Sequence, residues 1–141
     1  MSSVITTVVK RDGCVEPFSR NKLHAFLDGL VFALDHHYVD PTRIVTIAAA
    51  TGSDVISTDS LLYLCAEISG NLVTLHPDYG ILGGRIEVSV LNRRVPASFS
   101  ECVANSLHSD GIISPEFGRV VAADAEVLDG SICHGRDYMV T

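Results

Sequence analysis

Residues Val4 to Val9 (VITTVV) are six β-branched side chains in a row, and the run is broken by Lys10-Arg11-Asp12-Gly13. Such side chains lose rotamer freedom in a helix but pack well on a pleated surface. Residues 4–10 therefore read as a strand. Gly13 supplies the positive φ that lets the chain turn back. Residues 14–18 return as a second short strand, confined to a sheet edge because Pro17 has no N–H for the ladder. From Ser19 onward the apolar period changes: Leu23, Phe26, Leu27, Leu30 and Leu34 recur at helical spacing. Ser19 is a good N-cap, so a helix is expected over about 20–34. A hairpin that feeds straight into an amphipathic helix makes the chain α+β.

Three more helices follow. Asp40-Pro41 reads as N-cap plus first helical residue, and Gly52 closes that helix near Ala50. Ser57 or Thr58 caps the next, with Leu61, Leu64, Cys65, Ile68 and Leu72 on one face. His76-Pro77-Asp78 ends it and opens a fourth, whose pattern (Tyr79, Leu82, Ile86, Val90, Leu91) runs to about Arg94. Shorter helices are expected near 98–107 and 115–127, then a polar tail. A soft boundary near Val95-Pro96 divides residues 1–95 from 96–141.

Composition narrows the function. The chain has 141 residues, 47% of them hydrophobic, which is ordinary for one globular domain and excludes a disordered chain. No apolar run reaches the roughly 18–20 residues of a membrane span. Nor does the N-terminus carry a basic and then apolar leader, so a cytoplasmic location is expected. The length is also too short for a large catalytic barrel of about 250 residues. A net charge of −7 argues against nucleic acid or an anionic membrane as partner. The cysteines at 14, 65, 102 and 133 show no zinc-ligand spacing. Cys65 reads as a small buried hydrophobe. His36-His37 is a poor metal pair, because neighbours on a regular element point apart.

Against this acidic background, Lys10, Arg11, Arg20 and Lys22 lie within thirteen residues beside only Asp12 and Glu16, a local charge of +2. Residues 97–141 hold two arginines against seven acids, a local charge of −5. A small basic spot suits one compact anion, such as a nucleotide, better than a polyanion. The spot also adjoins a helix N-terminus, whose free N–H groups and macrodipole favour phosphate. A solvated charged surface remains the alternative on charge alone.

Two motifs carry a family resemblance. VVKRDGCVEPFSRNKL resembles the opening of the ATP-cone, a small regulatory nucleotide-binding domain. HPDYGILGGRIEVSVLNR resembles HPDYAILAARIAVSNLHK of the class I, eukaryotic-type ribonucleoside-diphosphate reductase large subunit. The match runs ungapped from about Val8 to Ser100 and is patchy beyond. Cones also occur in a bacterial regulator of reductase genes, but that family has a Cys-rich zinc ribbon before the cone, and no such pattern precedes Val8.

The resemblance implies a hairpin followed by a four-helix ATP-cone bundle over 1–95, and a helical linker toward a catalytic barrel over 96–141. It implies ATP or dATP as allosteric effector, with Mg2+ on the phosphates. The implied partners are other large subunits and the small subunit, in deoxyribonucleotide biosynthesis for DNA replication. Carried over residue by residue, nucleotide contacts fall on Lys10, Arg11, Glu16, Pro17, Phe18, Ser19, Arg20, Asn21, Lys22, Thr58 and Arg93. Lys22 is the foremost phosphate contact. The family's catalytic cysteines have no counterparts here, so the chain alone is not expected to reduce ribonucleotides.

There are departures. Leu62 stands where the eukaryotic family has a nucleotide-contacting aspartate, and Gly80, Gly83 and Gly84 replace helix alanines. Each glycine costs roughly 0.8–1 kcal/mol against alanine in a helix interior. Either the fourth helix needs a partner, or its close approach to another helix offsets that loss. These departures favour an alternative reading, a free-standing or degenerate cone that assembles subunits without binding nucleotide, whereas the intact KRDG and Lys22 favour the nucleotide-binding regulatory module. For Tyr79 and Arg85, helix packing or an ion pair is the expected role. His76 is expected at a helix end.

Overall fold

The computed structural model describes residues 4–109 and 112–139. Its contacts divide the chain into two compact units, the first ending at Val90 and the second running from Leu91 to Met139. The first is α+β.

Strand β1 (Thr7–Val9) lies at the centre of a three-stranded sheet of order β2-β1-β3. Antiparallel β2 (Val15–Pro17) flanks it on one side, with Pro17 on the outer edge as its missing N–H requires. The connecting turn is built by Gly13 at φ 85° and by the Asp12 carboxylate, which accepts the Cys14 N–H at 2.9 Å. On the other side lies β3 (Val55–Ser57), parallel to β1. This strand corrects the reading of the sheet as a lone hairpin. Three residues are too few to show a period, and the pairing partner lies 48 residues away.

Helix α1 (Arg20–Asp28) starts where Ser19 caps it, but it stops six residues short of the expected end at 34. Gly29 closes it. Leu30, Val31 and Leu34 are still buried, carried in successive turns. The cause lies in another helix, at Arg85. Its buried guanidinium donates to the carbonyl oxygens of Leu30 (2.8 Å) and Phe32 (2.6 Å) and stacks 4.0 Å over the Phe32 ring. Charge-assisted bonds to carbonyls released from helical pairing are strong enough to compete with continued winding. Arg85 is thus a packing residue that caps an irregular segment.

Helix α2 (Pro41–Thr51) follows the Asp40-Pro41 signal, with the Asp40 carboxylate accepting the Thr42 N–H at 2.9 Å. At its end Gly52 lies against the Ile5 side chain so closely that any Cβ would collide with it. Helix α3 (Thr58–Asn71) is capped by Ser57, not Thr58: the Ser57 hydroxyl accepts the Ser60 N–H at 3.1 Å. Leu61, Cys65 and Ile68 are buried as expected, but Leu64 and Leu72 are only half-buried, and Leu62, Ala66 and Ser69 join the core.

Helix α4 (Asp78–Arg94) buries Tyr79, Leu82, Ile86 and Val90. The Tyr79 hydroxyl accepts the Asp40 N–H (3.1 Å) and donates to the Tyr38 carbonyl (3.0 Å), which ties α4 to the start of α2. His76 sits before the helix, where its Nδ1 accepts the Asp78 N–H at 3.2 Å. Gly83 is a point of close approach: a Cβ there would stand 3.2 Å from the Ala66 carbonyl of α3. The glycine's low helix propensity is thereby exchanged for tight helix packing.

The second unit holds α5 (Phe99–Ser109), α6 (Pro115–Ala123), α7 (Ala125–Ser131) and a short 3-10 turn (His134–Tyr138). The helix expected over 115–127 is two helices, broken at Asp124 where φ −105° and ψ 17° leave the helical region. The Asp129 carboxylate joins α7 to α5, accepting the Ser100 N–H (2.9 Å) and hydroxyl (2.6 Å). These bonds hold its carboxyl below the usual range. No helix among the described residues is long and apolar enough to cross a membrane.

Candidate functional site

The basic residues of the hairpin converge on the N-terminus of α3. A cleft of about 100 Å3 is lined by Val9, Lys10, Arg11, Ser57, Thr58 and Asp59. Local sequence explains the convergence. Parallel pairing sets Val9 beside Ser57, so the β1 turn and the first turn of α3 emerge side by side. Thr58, at the first helical position, donates its hydroxyl to the Val9 carbonyl at 3.4 Å. The Arg11 guanidinium reaches the Asp59 carboxylate at 3.3 Å.

The second half of the basic spot is joined to the first through one carboxylate. Glu16 receives Lys10 on one oxygen at 2.6 Å and Lys22 on the other at 3.2 Å. The hydrogen bond from Lys10, and then that from Lys22, holds the Glu16 carboxyl below its ordinary range. Reciprocally, Glu16 raises the Lys10 ammonium. Asp12 is also held low, chiefly by the Cys14 N–H in the turn.

The structure brings together some of the sequence-predicted residues and leaves others apart. Lys10, Arg11 and Thr58 line the cleft, and Glu16 links Lys10 to Lys22. Pro17 closes β2, and the Phe18 N–H donates to the Thr6 carbonyl at 2.8 Å. Ser19 caps α1, where its hydroxyl accepts the Lys22 N–H at 3.4 Å. Arg20 and Asn21 are exposed in the first turn of that helix. Arg93 lies in the second unit. Leu62, one turn beyond Thr58, is 3% exposed and belongs to the core rather than the cleft. Sequence reasoning missed Ser57 and Asp59 as cleft residues. Their adjacency to Thr58 was the available signal, but it acquires meaning only once β3 is seen to pair with β1.

Among the described residues, no group of three His, Cys, Asp or Glu side chains is placed to hold a metal ion. The cysteines are free thiols, and burial pushes the Cys65 thiol up to about 12.

No family model matches the chain. Relatives are nonetheless clear. The chain is 31% identical to a ribonucleoside-diphosphate reductase large subunit of Caenorhabditis elegans over 145 residues, 96% of its own length. It is 34% identical to that of Danio rerio over 140 residues, or 93%. With that of Trypanosoma brucei brucei it shares 35% over 147 residues, or 98%. The chain is a homologue of the ribonucleoside-diphosphate reductase large subunit. At 93–98% of the chain, the matched region extends past Ser100. It spans only about one-sixth of these large subunits, 18%, 18% and 17% of their respective lengths. Within the matched region lie both the sheet with its cleft and the α4 segment that opens on His76-Pro77-Asp78.

Proposed function

We propose that residues 1–95 form an ATP-cone, the regulatory nucleotide-binding region of a ribonucleoside-diphosphate reductase large subunit. ATP or dATP would bind at the hairpin. The observation that carries this reading is the convergence of Lys10 and Arg11 with the N-terminus of α3, joined to Lys22 at the N-terminus of α1 through Glu16. Three cations and two helix N-termini in one small region suit a triphosphate. Mg2+ would arrive on the phosphates. The proposed effect of binding is a bias between two conformations of the hairpin and α1, read by neighbouring large and small subunits. The setting would be cytoplasmic, in deoxyribonucleotide synthesis. Ribonucleotide reduction itself is not assigned to these 141 residues.

A second reading also has support. The cleft is only about 100 Å3, less than the roughly 300–1,000 Å3 of ordinary ligand pockets, and Leu62 is in the core. A cone that only assembles subunits would look like this. Calorimetric titration of the chain with ATP and dATP, with Lys22→Ala as control, separates the two. Micromolar binding that is lost in the variant supports the sensor. A folded chain that binds neither nucleotide leaves the assembly module.

A further inference from the structure

Lys10 and Lys22 share one carboxylate, Glu16, and Arg11 is held by another, Asp59. We propose that Glu16 and Asp59 are internal counter-anions, which occupy the phosphate-binding cations of the hairpin and must yield them when a polyphosphate arrives. The inference rests on the nucleotide reading of the cleft and adds what sets its affinity.

The geometry supports competition rather than assistance. Both Glu16 oxygens are engaged by lysines, so the charges of Lys10 and Lys22 are already partly neutralised, and a phosphate has to displace the carboxylate to use them fully. Asp59 stands in the first turn of α3, where it already complements the helix dipole that would otherwise attract a phosphate. The two carboxylates also hold different tethers. Glu16 connects β2 to the turn and to α1, whereas Arg11 and Asp59 connect the turn to α3 across 48 residues. A polyphosphate that takes Lys10 and Lys22 from Glu16 loosens the turn from α1, and one that takes Arg11 from Asp59 removes an ion pair between the turn and α3. Ligand and hairpin position are then coupled, because the ligand prefers the arrangement in which the internal pairs are broken.

Calorimetric titration tests this with ATP and with inorganic tripolyphosphate. The proteins are the wild-type chain, Glu16→Gln, Asp59→Asn and the double variant, each shown to be folded by its thermal transition. Glu16→Ala repeats the test without an amide that could itself engage the lysines. Glu16→Gln should bind tripolyphosphate about three- to tenfold tighter, and Asp59→Asn about two- to threefold tighter, as expected for removing exposed ion pairs. The double variant should exceed both, with a steeper salt dependence. Wild-type ATP binding with no gain in any variant overturns the counter-anion role and leaves the nucleotide reading standing. A gain for tripolyphosphate without ATP binding by any form supports the counter-anions and removes the nucleotide reading. Failure of every form to bind either ligand overturns both.

Discussion

The two units of the chain bury very different amounts of apolar surface. Residues 4–90 enclose Leu27, Val31, Ile44, Cys65, Tyr79, Leu82, Ile86 and Val90 almost completely, and the buried polar groups described there have partners. Residues 91–139 bury Val103 and Val121, while Ile112, Phe117, Val120, Val127 and Met139 are exposed. A unit of such size rarely closes a core by itself. The first region thus carries its own stabilisation, whereas the second is a set of short helices held by few side chains. Most of the stability should therefore reside below residue 90.

The sharpest way to break that contrast is to cut each core. Leu82→Ala should cost about 2–5 kcal/mol in denaturant unfolding, and Val121→Ala about 1 kcal/mol or less. Equal costs would show that the second unit has a core of comparable worth. Arg85→Ala comes next, at about 2–3 kcal/mol, because the carbonyls of Leu30 and Phe32 lose a charged donor. Faster amide exchange over residues 29–34 would locate that effect.

Opposite ends of the pH scale should separate the units further. Cys65, pushed up to about 12 by burial, ionises more readily unfolded than folded. Its contribution is complete below the unfolded thiol value and is lost as pH rises from about 9 toward 12, at up to about 1.4 kcal/mol per pH unit. Asp129 is held low by Ser100, so its contribution is present above the unfolded carboxyl value and fades as pH falls through the folded one. Alkali should therefore weaken the first unit through Cys65, whereas acid should weaken the α5–α7 link and, to its own extent, the hairpin, where Asp12 and Glu16 are also held low. Urea melts across pH with Cys65→Ala and Asp129→Asn measure both slopes, and an unchanged slope in either variant removes that group from the account.

The smallest expected effects lie at glycines. Gly70 and Gly130 have open space where an alanine methyl would stand, so Gly70→Ala and Gly130→Ala should each stabilise by about 0.5–1 kcal/mol. Gly83→Ala should gain nothing or lose stability, since its methyl meets the Ala66 carbonyl. Thermal shifts of the three variants measure this, and stabilisation by Gly83→Ala would show that α3 and α4 can move apart at no cost.

What was legible in the sequence was what neighbouring residues decide. Ser19, Asp40-Pro41 and His76-Pro77-Asp78 marked helix starts because capping is local, and Gly13 and Pro17 marked the turn and the edge for the same reason. The end of α1 was not legible, because Arg85, far along the chain, competes for the carbonyls of 30 and 32. Nor was β3, whose three residues are a strand only beside β1. At the candidate site the cations and Glu16 could be read from the sequence, but Asp59, the counter-ion of Arg11, could not. Arg11 and Asp59 are strangers in sequence, and parallel pairing of β1 with β3 makes them neighbours.

That parallel pairing also bears on the order of events in folding. The β1–β2 hairpin closes over a handful of residues and can form within microseconds. The β1–β3 contact must wait until some forty-eight intervening residues have been gathered up, at a larger loop-closure cost. Of the central strand's two edges, one is satisfied early and the other late. The cleft between the turn and α3 therefore comes into existence only once β3 has docked on β1, so a hairpin formed before that step presents its basic residues without the wall that faces them.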